Sequence, residues 1–162
     1  MQKGYRVLFC VTALLMLLGL CACGGADIKD VPVDTLAGSV AQAIDKSENL
    51  IKMDCEYIFG YMGMDVSEYE GFAVEINAYG ANIDEFGIFK GKDEAQAGEI
   101  KSAIEDYLQL RLASWMEEYM PDEKPKLTSA EIKTVGTYVM YCILGDEDKL
   151  TAFEAFEKSL TE

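Results

Sequence analysis

The chain is 162 residues long, carries 14 lysines and arginines against 29 aspartates and glutamates, and has no histidine, for a formal charge of −15 at pH 7. So acidic a surface repels phosphate backbones and anionic lipid headgroups, which excludes nucleic acid as a partner. The missing imidazole removes the usual general base near neutral pH and the commonest metal ligand, and with them histidine-based hydrolytic triads and zinc sites.

The chain opens with Lys3 and Arg6, an uncharged apolar run from Val7 to Leu20, and then Leu20-Cys21-Ala22-Cys23-Gly24-Gly25. A basic start, an apolar centre and a small residue before the cut are the layout of a secretory signal peptide. The run falls short of the about 20 apolar residues that a membrane-crossing helix needs. An uncleaved anchor and plain secretion are therefore weaker readings. Leu-Cys-Ala-Cys resembles the lipobox of bacterial lipoproteins, and the resemblance implies cleavage after Ala22 and lipid attachment at Cys23. Cys21 fits less well, because Leu20 would sit at the cut. The expected organisation is a signal peptide over 1–22, a lipidated cysteine and polar tether over 23–32, and one domain over 33–162 at the outer face of the bacterial membrane. Losing Lys3 and Arg6 with the leader takes the formal charge from −15 to −17.

Beyond the tether, Leu36, Val40 and Ile44 with Ala37 and Ala41 lie on one face of a helix that Asp34 is placed to cap. A second, short helix is predicted from Asp54, carrying Tyr57, Ile58, Tyr61 and Met62 and stopping at Gly63. Phe72, Val74, Ile76 and Ala78 alternate with Ala73, Glu75, Asn77 and Tyr79 as a half-buried strand does. Gly80-Ala81-Asn82 supplies a turn, and Asp84 to Gly91 returns as the other arm of a hairpin. The longest helix is expected from Asp93 to about Met120, with Ile100, Ile104, Leu108, Arg111, Trp115 and Tyr119 along one stripe, Tyr107 and Leu112 beside it, and Pro121 as its stop. Ile132 to Val135 and Thr137 to Leu144 flank Gly136 as a hairpin or bent strand pair, the second arm apolar on both sides and so covered on both faces. A last helix follows Gly145-Asp146-Glu147-Asp148, with Leu150, Phe153, Phe156 and Leu160 at helical spacing. The fold class expected is α+β: a mostly antiparallel sheet of about four strands, packed by one long central helix, with the N- and C-terminal helices covering the rest.

Two stretches resemble a known family. They are Gly80-Ala81-Asn82-Ile83-Asp84-Glu85-Phe86-Gly87-Ile88-Phe89-Lys90-Gly91-Lys92-Asp93, and Tyr119-Met120-Pro121-Asp122-Glu123 with Lys126-Leu127 and Gly136-Thr137-Tyr138-Val139. With an arginine at the place of Arg111 between them, they are similar to lipoproteins of Gram-positive, mostly clostridial bacteria grouped by a domain of unknown function. The resemblance runs from about Val33 to the C-terminus and implies an exported lipoprotein; it brings no catalytic residue and no cofactor.

Candidate chemistry is sparse. No serine stands in a Ser-x-x-Lys or Gly-x-Ser-x-Gly setting, and no phosphate-cradling glycine loop occurs. Asp84 with Glu85, and Asp146-Glu147-Asp148, are the densest acidic groups, and both read more simply as a hairpin end and a helix start. No metal site is expected, since the second group lacks the spacing of a calcium loop. Arg111, the one arginine left after the leader, falls in an apolar stripe. That position calls for an internal partner, and a fork-like pair with Glu85 or Asp84 would join the hairpin to the long helix. Tyr57, Tyr61, Trp115, Tyr119 and Tyr141 are either boundary core residues or the lining of a shallow groove for glycan or peptide, since such rings offer a flat apolar face and a polar tip. Cys55 and Cys142 read as buried thiols in preference to a disulfide. The function expected is a non-enzymatic, lipid-anchored binding or accessory module with an envelope protein or glycan as partner; the alternative is an envelope enzyme acting through paired carboxylates.

Overall fold

The computed structural model describes residues 28–45, 47–116 and 118–162. The leader and Cys23 lie outside them. Five helices and five strands follow one another along the described residues: α1 (Val33–Ala43), β1 (Leu50–Lys52), α2 (Cys55–Met62), β2 (Gly71–Asn77), β3 (Glu85–Lys90), α3 (Glu94–Ala113), α4 (Lys124–Thr128), β4 (Glu131–Val135), β5 (Tyr138–Ile143) and α5 (Asp146–Thr161). The class is α+β.

All neighbouring strands are antiparallel, in the order β1-β2-β3-β5-β4. The sheet thus has five strands, one more than expected. The addition is β1, whose three residues are too short to show a period of two; it is paired by register to Glu75, Ile76 and Asn77 of β2. Two helical layers sandwich the sheet. On one face α2, α3 and α4 pack Ile58, Ile100, Ile104 and Leu127 against Val74, Phe89, Val139 and Tyr141. On the other, α1 and α5 pack Leu36, Val40, Phe153 and Phe156 against Phe86, Ile88, Met140 and Cys142. β5 is buried along its whole length, and β3 from Glu85 to Phe89, because side chains of both parities meet a core. β2, expected to be buried on one side only, also has both Ala73 and Val74 fully buried.

Local chemistry explains where the elements begin and end. Asp54 caps α2 by accepting from Tyr57 N at 2.8 Å, and Gly63, at φ 71, ends it in the left-handed region that glycine enters without cost. Asp93 caps α3 through Gln96 N at 2.8 Å. This helix stops at Ala113, short of the expected Met120. Ser114 Oγ bonds back to Arg111 O at 3.2 Å, a side-chain competitor for the helical ladder, and Met120, at φ 50, turns the chain. Trp115 and Tyr119 therefore lie on a folded-back loop.

Three further positions differ from expectation. Asp34 lies inside the first turn of α1 behind Pro32 and meets Lys52 Nζ at 2.5 Å instead of capping the helix. Leu150 is 60% exposed while its neighbour Lys149 is buried; Lys149 Nζ reaches Ser129 O at 2.6 Å and Glu131 and Asp146 at 3.2 and 3.3 Å. Cys55 and Cys142 are both free, and only Cys142 is buried. Cys55 opens α2 on its outer side, because the inward positions of this short helix fall to Ile58 and Met62.

The chain enters the fold at one end of the sheet. Asp30 Oδ1 meets Lys90 Nζ at 2.9 Å, and Tyr138 Oη accepts from Val31 N at 2.9 Å and donates to Val31 O at 3.0 Å. Residues 28–32 are pinned there.

Candidate functional site

The opposite end of the sheet carries a buried polar cluster. Glu85 opens β3 and is 3% exposed, yet each of its oxygens has donors. Tyr107 of α3 and Tyr141 of β5 donate to Oε1 at 2.7 and 2.5 Å, and Arg111 Nη1 meets Oε2 at 2.5 Å. Nη1 also reaches Tyr107 Oη at 3.2 Å. A carboxylate out of water requires such company, since an unpaired one costs several kcal/mol, roughly.

Of the two acids proposed for Arg111, the guanidinium meets Glu85. The contact is not a fork: it runs through one nitrogen, because Tyr107, one helical turn before Arg111, occupies the other side of the carboxylate. Asp84 is taken up elsewhere. Its Oδ1 meets Lys126 Nζ at 2.7 Å and its Oδ2 accepts from Asn82 Nδ2 at 2.8 Å, while Lys126 also holds Glu123 at 2.9 Å and Glu123 accepts from Ile83 N at 3.0 Å. α4 is thereby tied to the β2–β3 turn. Tyr107 and Lys126 have structural roles that spacing did not reveal: Tyr107 reads as a flanking aromatic of the stripe, and Lys126 enters only as part of the family resemblance.

Above this cluster opens a cavity of about 430 Å³ whose lining includes Glu85, Arg111, Tyr57, Tyr61, Trp115 and Tyr119. Four of the five aromatics named from the sequence thus meet at one place. Tyr141 departs from that reading: it is fully buried and lies under the floor. The Tyr57 and Tyr61 rings stand 5.1 Å apart at 34°, and the Arg111 guanidinium sits 5.8 Å from the centres of both Tyr61 and Tyr107. At the mouth, Tyr61, Leu110, Met116 and Tyr119 are exposed. Among the described residues, Trp115 Nε1 is the one buried side-chain polar atom without a partner.

The electrostatics hold this floor in one protonation pattern. Burial, reinforced by Glu85, pushes the hydroxyls of Tyr107 and Tyr141 well above their ordinary value, and burial with neighbouring Tyr61 takes Tyr57 to about 12. Both buried tyrosines therefore remain donors. Burial opposes the charge on Arg111, but Glu85 and the two tyrosines beside it outweigh that and raise it. Lys126 is likewise raised, Asp84 and Glu123 overcoming its desolvation.

All four carboxylate oxygens of Asp84 and Glu85 are thus engaged by donors. The arrangement can bind and orient a ligand over a rigid floor; it presents no uncommitted acid paired with an uncommitted base.

No curated protein and no solved structure matches the chain. A family model does, over residues 42–144, a span that holds all five strands and every member of the Glu85 cluster. The chain belongs to the family described as a domain of unknown function, DUF4358.

Proposed function

We propose that this protein is a lipid-anchored, non-enzymatic binding module of the bacterial cell envelope, and that its ligand occupies the aromatic cavity over Arg111 and Glu85. The observation that carries the reading is the pairing of an open, ring-walled cavity with a floor whose charges are already satisfied. Binding pockets are mostly apolar clefts of about 300–1,000 Å³ with a few fixed polar groups, and the cavity falls in that range. The enzymatic alternative loses ground on the same observation, because general acid and base work needs a carboxyl free to exchange its proton with substrate.

The resemblance of the leader to a lipobox, and of the domain to Gram-positive lipoproteins, supports anchoring through Cys23. The layout of the fold agrees with it. Residues 28–32 join at the Lys90 and Tyr138 end of the strands, whereas the cavity lies at the Glu85 and Asn77 end, a strand length or about 17 Å away at roughly 3.4 Å per residue. Anchored in this way, the module turns its cavity from the bilayer.

The test passes a solubilised envelope fraction over the immobilised chain, beside its Tyr61→Ala and Tyr119→Ala variants. Retention of a component by the wild type that both variants lose, with the component recovered uncut, is the expected result. Equal retention by all three, or release of cleaved material, contradicts the reading.

A further inference from the structure

We infer that the cavity takes a neutral oligosaccharide, one sugar ring lying on the Tyr61 and Trp115 side and its oxygens meeting the unused donors of Arg111. The inference rests on the cavity being the binding site, as proposed above, and goes on to name the ligand class.

Charge comes first. The cation at the floor, Arg111, is matched by Glu85, and Lys126 is matched by Asp84 and Glu123. Neither of these cations has charge to spare, and the chain as a whole stands at −15. An anionic ligand finds no net attraction here.

Donors come next. Among the described residues, the hydrogen bonds of the guanidinium run through Nη1, leaving Nη2 and Nε of a cavity-lining side chain for a ligand. Trp115 Nε1 is also without a partner among the described residues, but it is closed to solvent and becomes a second donor only when a ligand turns the ring. Such a set suits hydroxyl, ring and acetamido oxygens. The exposed tyrosine rings supply apolar faces for the C–H side of a sugar.

A peptide is less well served. Extended peptides commonly dock by adding a strand to a free sheet edge, but the strands at this cavity, β2 and β3, each have neighbours on both sides. Neither of these two strands has a ladder open to extend.

Trp115 is the only tryptophan in the chain, so its emission reports occupancy of the cavity. The full chain, held in a sugar-free detergent, is titrated with an N-acetylglucosamine trisaccharide, maltotriose, trigalacturonate and tetra-alanine, and separately with a solubilised envelope fraction. The expected result is a saturable emission change with one or both neutral sugars, weakened about tenfold by Tyr61→Ala, the worth of one ring face, and absent with the other two probes. Saturation by trigalacturonate or tetra-alanine alone, or by the envelope fraction with no response to neutral sugar, overturns the ligand class and leaves the cavity as a binding site. No response to any addition overturns both.

Discussion

The ring of Tyr141 lies across Gly87, its register partner on β3, so closely that a Cβ on Gly87 would stand 2.3 Å from Tyr141 Cε1. The empty space over the glycine lets the ring lean along the sheet and place its hydroxyl on Glu85, two residues back on the same face. Glycine is needed here for the close approach.

Gly87→Ala should consequently displace the Tyr141 ring and destabilise the domain by about 1–3 kcal/mol, as overpacking does. Gly98→Ala is the control: it sits exposed within α3 with nothing near its Cβ position, and should stabilise by about 0.5–1 kcal/mol. Urea unfolding of the two variants measures both; a neutral Gly87→Ala would show that the ring has other room.

Arg111→Ala leaves Glu85 buried beside two hydroxyls and no cation, and should cost about 3–5 kcal/mol. The double variant Glu85→Gln with Arg111→Met removes both charges together and should recover much of that loss. A double variant no more stable than Arg111→Ala would mean that the pair is not coupled.

High pH should weaken the fold through its buried tyrosines. Both Tyr107 and Tyr141 start from 10.0 and are raised in the folded state, by burial first and by Glu85 second. Above pH 10 the unfolded chain has released protons that the folded chain keeps, so stability is intact below that pH and falls as pH rises past it, by about 1.4 kcal/mol per unit for each group. Unfolding midpoints compared at about pH 9 and about pH 11 should drop, and Tyr141→Phe should drop less by one proton's worth. Identical pH slopes for the two proteins would contradict the assignment.

Much of this fold was legible in the sequence, and the misses have physical causes. Asp54 and Gly63 bracket α2 because capping is local chemistry. The apolar run from Tyr138 to Ile143 announced a strand covered on both faces. β1 was not legible, since three residues held by their partner on β2 have no period of their own. Arg111 stood out as a cation among apolar side chains, but the choice of Glu85 over Asp84 depended on which acid β3 turns inward. Lys149 and Leu150 exchanged places because acceptors from the 129–131 stretch, Ser129 O and Glu131, join Asp146 of the same helix around the lysine.

That exchange gives its own expectation. Leu150→Ser should change stability by less than about 0.5 kcal/mol, as surface substitutions do. Lys149→Ala should cost about 1–3 kcal/mol by removing the buried lysine's charged hydrogen bond to Ser129 O. Thermal unfolding decides between them, and the reverse ranking would restore the reading of Leu150 as core.

On the proposed anchoring, replacement of Cys23 by Ser should move the protein from the membrane pellet to the soluble fraction, since acyl chains there would supply the attachment at about 0.8 kcal/mol per buried methylene. A variant that still sediments with membranes is held by something other than lipid at that cysteine.

The most direct measurement of the central claim is acrylamide quenching of Trp115 with and without the envelope component retained by the wild-type chain. Occupancy of the cavity predicts that the component shields the indole in the wild type and leaves the Tyr61→Ala variant as open as before. Equal quenching with and without it, in a chain that demonstrably holds the component, would place the binding surface elsewhere.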